Sequence, residues 1–188
     1  MLMKTEALSA TEVVEMVQSA RANRKARRWS QHRFWSQIGV SQTSGSRIEK
    51  GGVVLRHVAL LYLLRESGAV SIRAIEEASA CAHLILGQNL QEWENRPNRS
   101  LLSRSRKWIG QLARERRSRN ESQDDFWSPI AVTQSAGSRF ESGQPVSEPV
   151  MILLILRLNE DVDDATLGEF LTAMDAGGLK GKSRGANT

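Results

Sequence analysis

Gln42, Thr43, Ser46 and Arg47 fall within six consecutive positions, at a spacing that sets them on one face of a short helix. Their end groups match the edges of nucleobases. A Gln amide pairs bidentately with adenine N6 and N7, an Arg guanidinium with guanine O6 and N7, and a Thr side chain can touch the methyl of thymine. Ninety-two residues further on, Gln134, Ser135, Ser138 and Arg139 repeat the set in the same register.

The elements that must hold these faces outward are repeated as well. The stretch from Phe34 to Gly51 recurs from Phe126 to Gly143 with eleven of eighteen positions identical, and the changes are mild, such as Ser41 for Thr133. Self-similarity at one fixed shift is the mark of a duplicated unit. In a chain of 188 residues it predicts two units of about 70 residues each, each with a modest core.

Alternating β-branched runs and hairpin dipeptides are nearly absent, so the chain reads as all-α. In the first unit Thr11 is expected to cap a helix to about Arg27, with Val13, Val14, Val17 and Ala20 turned inward. Ser30 caps a second helix that Gly39 stops, and Ser41 caps a third that ends near Gly51. A fourth runs from about Leu55 to Glu66, and Ser71 caps a fifth whose Ile72 and Ile75 close the core. The second unit repeats this, with Ser122, Thr133, Ser147 and Asp163 opening its helices two to five. The expected division is residues 1–80 and 104–176 for the two units, 81–103 as a part-helical linker hinged at Asn95–Asn98, and 177–188 as a disordered tail.

The series Gln31, Phe34, Trp35, Ile38-Gly39-Val40-Ser41, Gly45-Ser46, Glu49 and Gly51 resembles the helix-turn-helix of the phage repressor and Cro family, also called the xenobiotic-response-element family. The resemblance implies two tandem five-helix lambda-repressor-like helix-turn-helix domains, each with its third helix in the major groove of double-stranded DNA. It makes Ser41, Gln42, Thr43, Ser46 and Arg47 the contact residues of the first unit, and Thr133, Gln134, Ser135, Ser138 and Arg139 those of the second. Gln31 and Gln123 match the family's phosphate-contacting glutamine, or else hydrogen-bond the third helix. For Arg47 and Arg139 the competing role is an internal salt bridge, while Glu49 and Glu141 are expected to hold the fold.

One departure from that family carries its own expectation. Trp35 and Trp127 stand where the second helix usually has a small residue, and Gly45 and Gly137 where the third has a branched aliphatic. A glycine inside a helix costs about 1 kcal/mol relative to alanine. Two of them predict a volume exchange, each indole buried over the glycine opposite.

The net charge is +5, from 26 basic and 21 acidic residues, so the placement of charge matters more than its sum. Arg24, Lys25, Arg27 and Arg28 lie in a run free of acids just before the first motif, and Arg116, Arg117 and Arg119 precede the second. A single run reads as a solvated helix face, whereas two at equivalent places point to phosphate contact. The copies then diverge. His32 and Arg33 are replaced by Asp124 and Asp125, with Ser122 and Asp125 forming a capping box, and Lys50 by Ser142, so the first unit is expected to dominate DNA binding.

Other chemistries find little support. The three histidines are dispersed, Cys81 is single, no phosphate-binding glycine loop follows a strand, and neither enzyme, metal nor cofactor is expected. His57 reads as structural. The lone cysteine fits a reducing cytoplasm, and the apolar runs Val58–Leu64 and Val150–Leu156 are too short to span a membrane. Two functional classes remain. One is a nucleoid-associated cytoplasmic transcriptional regulator, a repressor for example, with a homodimer open to it; the other is a protein-interaction module, antitoxin-like or an antirepressor partner, in which one or both units have given up DNA.

Overall fold

Serine, threonine and aspartate caps decide where most of the helices begin. In a computed structural model that describes residues 9–88 and 98–179, Ser30, Ser41, Ser71, Ser122, Thr133 and Asp163 each accept a backbone N–H from the first turn that follows. Ser122 and Asp125 form the expected capping box. At the start the cap is Ser9, not Thr11: Ser9 and Glu12 make a capping box of their own, which places Thr11 inside the helix.

The described residues form twelve α-helices and one 3-10 turn, with no strand among them. The first unit contains α1 (Ala10–Gln18), α2 (Ala20–Ala26), α3 (Gln31–Ser36), α4 (Gln42–Glu49), α5 (Arg56–Ser67) and α6 (Ile72–Ile85). The second contains α7 (Arg99–Gly110), α8 (Leu112–Ser118), α9 (Gln123–Trp127) with the 3-10 turn Ser128–Ile130, α10 (Gln134–Glu141), α11 (Glu148–Leu158) and α12 (Asp164–Ala176). The first helix expected over 11–27 is broken at Ser19, and its counterpart is broken at Gln111. Counted as one broken helix, it leaves five helices per unit. Part of the expected hinge, Asn95–Pro97, and the tail beyond 179 lie outside the described residues, whereas Asn98 caps α7.

The turn between α3 and α4 is built on a left-handed residue. Gly39 has φ +67, and Val40 N–H returns to Trp35 O at 3.0 Å, which closes α3 and reverses the chain. Ala131 takes the same place at φ +59. The first turn cannot accept that methyl, because a Cβ on Gly39 would stand 2.6 Å from Glu148 Cγ at the start of α11. The glycine thus marks a contact between the units.

Such contacts run through the whole molecule. The apolar runs make α5 and α11 buried helices that pack on each other, α6 lies against α11 and α7, and α12 lies against α5 and α1. The two modest cores expected from the sequence are therefore one continuous cluster. Ile75 joins it, but Ile72 does not close the core and is 57% exposed. It stands at the open first turn of α6, a position that the second unit gives to Asp164. No described helix is long and apolar enough to cross a membrane.

The expected exchange between indole and glycine is present in both units. Trp35 is 1% exposed and Trp127 0%. A Cβ on Gly45 would lie 2.1 Å from Trp35 Cδ1, and one on Gly137 2.2 Å from Trp127 Cδ1, so the indole edge occupies the space of the missing side chain. The other side of the ring is filled differently in each copy. Tyr62 of α5 stacks on Trp35 at 5.9 Å, whereas in the second unit that position is Leu154 and Phe140 of α10 meets Trp127 at 5.6 Å. Bulk has moved between helices while the site stays filled.

Gly45→Ala should therefore destabilise the protein by about 1–3 kcal/mol in urea unfolding, although alanine is the better helix former by about 1 kcal/mol. In a double-mutant cycle with Trp35→Leu the combined loss should be smaller than the sum of the two single losses. A Gly45→Ala protein as stable as the parent would remove the packing explanation.

Candidate functional site

Each helix that follows the turn is anchored by one carboxylate. Glu49, at the end of α4, accepts Arg24 Nε at 2.7 Å and Nη2 at 3.0 Å, Gln31 Nε2 at 3.0 Å and Trp35 Nε1 at 3.0 Å. One side chain so ties α2 and α3 to α4. Glu141 repeats the pattern with Arg116 at 2.8 and 3.1 Å, Gln123 at 3.2 Å and Trp127 at 3.0 Å. The same arginines also close the chain before α3 and α9, Arg24 on Trp29 O and Arg116 on Glu121 O.

Burial alone would push the Glu49 carboxyl up. The donated hydrogen bonds from Arg24, Gln31 and Trp35, with the charge of Arg24, outweigh it and hold the group at about 2. Glu141 is lowered in the same way against the same opposing burial. Both anchors are therefore fully ionised near neutrality.

The expected contact residues separate by what they touch. Gln42, Thr43 and Arg47 are exposed on α4, and Gln134, Ser135 and Arg139 on α10, while Ser46 and Ser138 are half-buried. Ser41 and Thr133 are exposed and spend their hydroxyls as caps. Lys50 is exposed beyond the end of α4. The internal salt bridge considered for Arg47 does not form with Glu49, whose four bonds come from α2 and α3. Gln31 and Gln123 take the second of the two roles open to them, holding the helix after the turn.

The basic runs are less uniform than their sequence. Arg24 and Arg116 are committed to the carboxylates, with side chains only 14% and 16% exposed. Arg27 pairs with Glu66 at 2.8 Å, Arg119 with Glu115 at 3.1 Å, and Arg117 Nε donates to Ala113 O. Lys25 and Arg28 are exposed, Arg28 at a left-handed φ of +56. Arg33 is exposed and lies with its guanidinium 5.0 Å from the Trp29 ring, so this aromatic orders a cation at the front of α3. The second unit has Glu121 in place of Trp29, and its acids are occupied: Asp125 caps α9 and Asp124 accepts Ser128 Oγ at 2.6 Å.

A second pair of anchors escaped the sequence reading. Arg65 Nη1 donates to Phe34 O at 2.9 Å and Arg157 Nη1 to Phe126 O at 3.1 Å, each tying the buried fourth helix to the helix before the turn. Both guanidiniums are buried, and that of Arg65 sits 4.2 Å from the Phe34 ring centroid. The available signal was a lone cation ending each apolar run at equivalent positions. His57, by contrast, is held at about 4 by burial, so it is neutral at pH 7.

The RsaL-like HTH domain family matches residues 21–65 and again 113–157, which span α2 to α5 and α8 to α11. Both matches fall on the anchored turn, and they repeat at the same shift of 92 as the motif. The chain matches no curated protein and no solved structure. Helices α1, α6, α7 and α12 lie outside the matched stretches.

The depressed Glu49 acidity gives a signed pH dependence. Its contribution to stability is present in full above the ordinary glutamate value of 4.5 and is lost as pH falls through about 2. Glu49→Gln should lower stability at pH 7 by about 2–3 kcal/mol and flatten the loss between pH 5 and 2. Urea titrations of parent and variant across that range measure both effects.

Proposed function

From the premise that the chain is a tandem duplication of a helix-turn-helix domain, we propose that it is a sequence-specific transcriptional regulator of double-stranded DNA, with α4 and α10 as the helices that enter the major groove. The observation that carries this reading is the division of polar groups around the turn. Glu49, Arg24, Gln31 and the Trp35 N–H satisfy one another inside, while Gln42, Thr43 and Arg47 of α4 are left exposed. A helix held rigidly by its inner face, with bidentate amide and guanidinium groups on its outer face, is built to read base edges.

Phosphate contacts in this reading come from Arg33, Lys50, Lys25 and Arg28 of the first unit, all exposed, and from Arg117 and Arg119 of the second. The remaining amide hydrogens of Gln31 and Gln123 supplement them. Asp124 and Asp125 give the second unit an acidic front where the first has His32 and Arg33, so the first unit contributes more of the affinity. In this reading it acts in the cytoplasm at the nucleoid, as a repressor that occupies its site on DNA. The protein-interaction alternative has its best foothold in that acidic second front.

Arg47→Ala should weaken binding to a selected duplex by about 1–3 kcal/mol and relax the base preference at one position, with stability unchanged within about 0.5 kcal/mol. Arg139→Ala should cost less. Fluorescence anisotropy at several salt concentrations reads both variants, and the parent's affinity should fall steeply with salt. A larger loss at Arg139 would reverse the assigned order of the units, and binding that ignores salt and sequence would favour the protein-interaction reading.

A further inference from the structure

We infer that one chain is a closed pseudo-twofold dimer of its two units, kept in that pairing by a carboxylate and its partner exchanged between the units, and that its DNA target is an inverted repeat read by a single chain. The operator part rests on the DNA-binding reading above. A tandem duplication does not by itself fix orientation. Repeats that stack by translation join the exit face of one unit to the entry face of the next and leave the outer faces unpaired.

The contacts here are reciprocal instead. With unit two numbered 92 above unit one, α6 meeting α11 is the image of α12 meeting α5, and α6 meeting α7 is the image of α12 meeting α1. Between them α5 meets its own counterpart, α11. Only a twofold rotation sends this set of contacts into itself. The helices outside the family match, α1, α6, α7 and α12, all take part.

Two polar pairs sharpen the point. Arg56 of α5 binds Asp175 of α12 through both nitrogens, at 2.5 and 2.7 Å. The image of Arg56 is Glu148 and the image of Asp175 is His83, and these two also bind each other, across α11 and α6. The same twofold site is thus used twice, with the carboxylate supplied by the second unit each time. Two first units paired in this way would set Arg56 against His83, and two second units would set Glu148 against Asp175. The exchange disfavours like-with-like pairing between chains and favours one unit of each kind.

A twofold rotation preserves direction along its axis, so whatever inclination the outer face of α4 has along that axis the outer face of α10 shares, and a duplex lying across the axis would meet both alike. A duplex offers matching dyads in its grooves, and two such faces read half-sites in opposite orientation. Selection from a random duplex library by the full chain, with sedimentation of the selected complex, tests this. Two inverted half-sites held by one chain are expected. Direct repeats, or two chains each using one unit, would overturn the inference and leave the DNA reading standing, whereas no selected duplex would overturn that reading and the operator with it. The pairing has its own readout. Arg56→Asp should lower the melting temperature by about 1–3 °C, and adding Asp175→Arg should restore it; additive losses would overturn the charge-selected pairing.

Discussion

The exposed faces of α4 and α10 depend on the bonds that converge on Glu49 and Glu141. A helix of eight residues has too little apolar surface to fix its own orientation. The carboxylate supplies what is missing by drawing an arginine, a glutamine and an indole from two neighbouring helices onto its last turn. Each partner is itself positioned elsewhere: the arginine also holds a backbone carbonyl, and the indole lies on a glycine of the same helix it bonds. The tryptophan therefore acts twice, by volume on Gly45 and by hydrogen bond on Glu49, which explains why the two unusual residues occur together in both copies.

This anchoring has a consequence for charge. Arginines in the basic runs do different work although they look alike in sequence, because Arg24 and Arg116 neutralise buried carboxylates while Lys25, Arg28 and Arg33 face water. The electrostatic field toward an anionic partner is thus set by fewer groups than the composition suggests. Trp29 adds to it in the first unit by holding Arg33, whereas Glu121 in the same place of the second pairs with Arg157 at 3.0 Å.

The units also show how a duplicated sequence comes to serve one body. Gly39 is kept where the first turn meets Glu148, whereas the second turn carries the methyl of Ala131 at the same left-handed position. Arg56 with Asp175 and Glu148 with His83 divide between the copies a contact that two copies of either unit as it stands would not make. The divergence of the repeats is in part the signature of their pairing with each other.

The sequence by itself determined the helices and the turn, because caps such as Ser30 and Ser41, the left-handed glycine and the apolar periodicity act within a few residues. It determined the tryptophan–glycine exchange too, since two volume anomalies at matched positions admit a local solution. Only the tertiary structure decided which arginines are spent inside, that Arg65 and Arg157 hold the helix before the turn, and that Ile72 faces outward. It alone decided that α6 and α12 cross to the other unit. The reason is that these outcomes depend on partners 25 to 119 residues away, as for Arg24 with Glu49 and Arg56 with Asp175, and periodicity carries no information about which distant surface a helix face will meet.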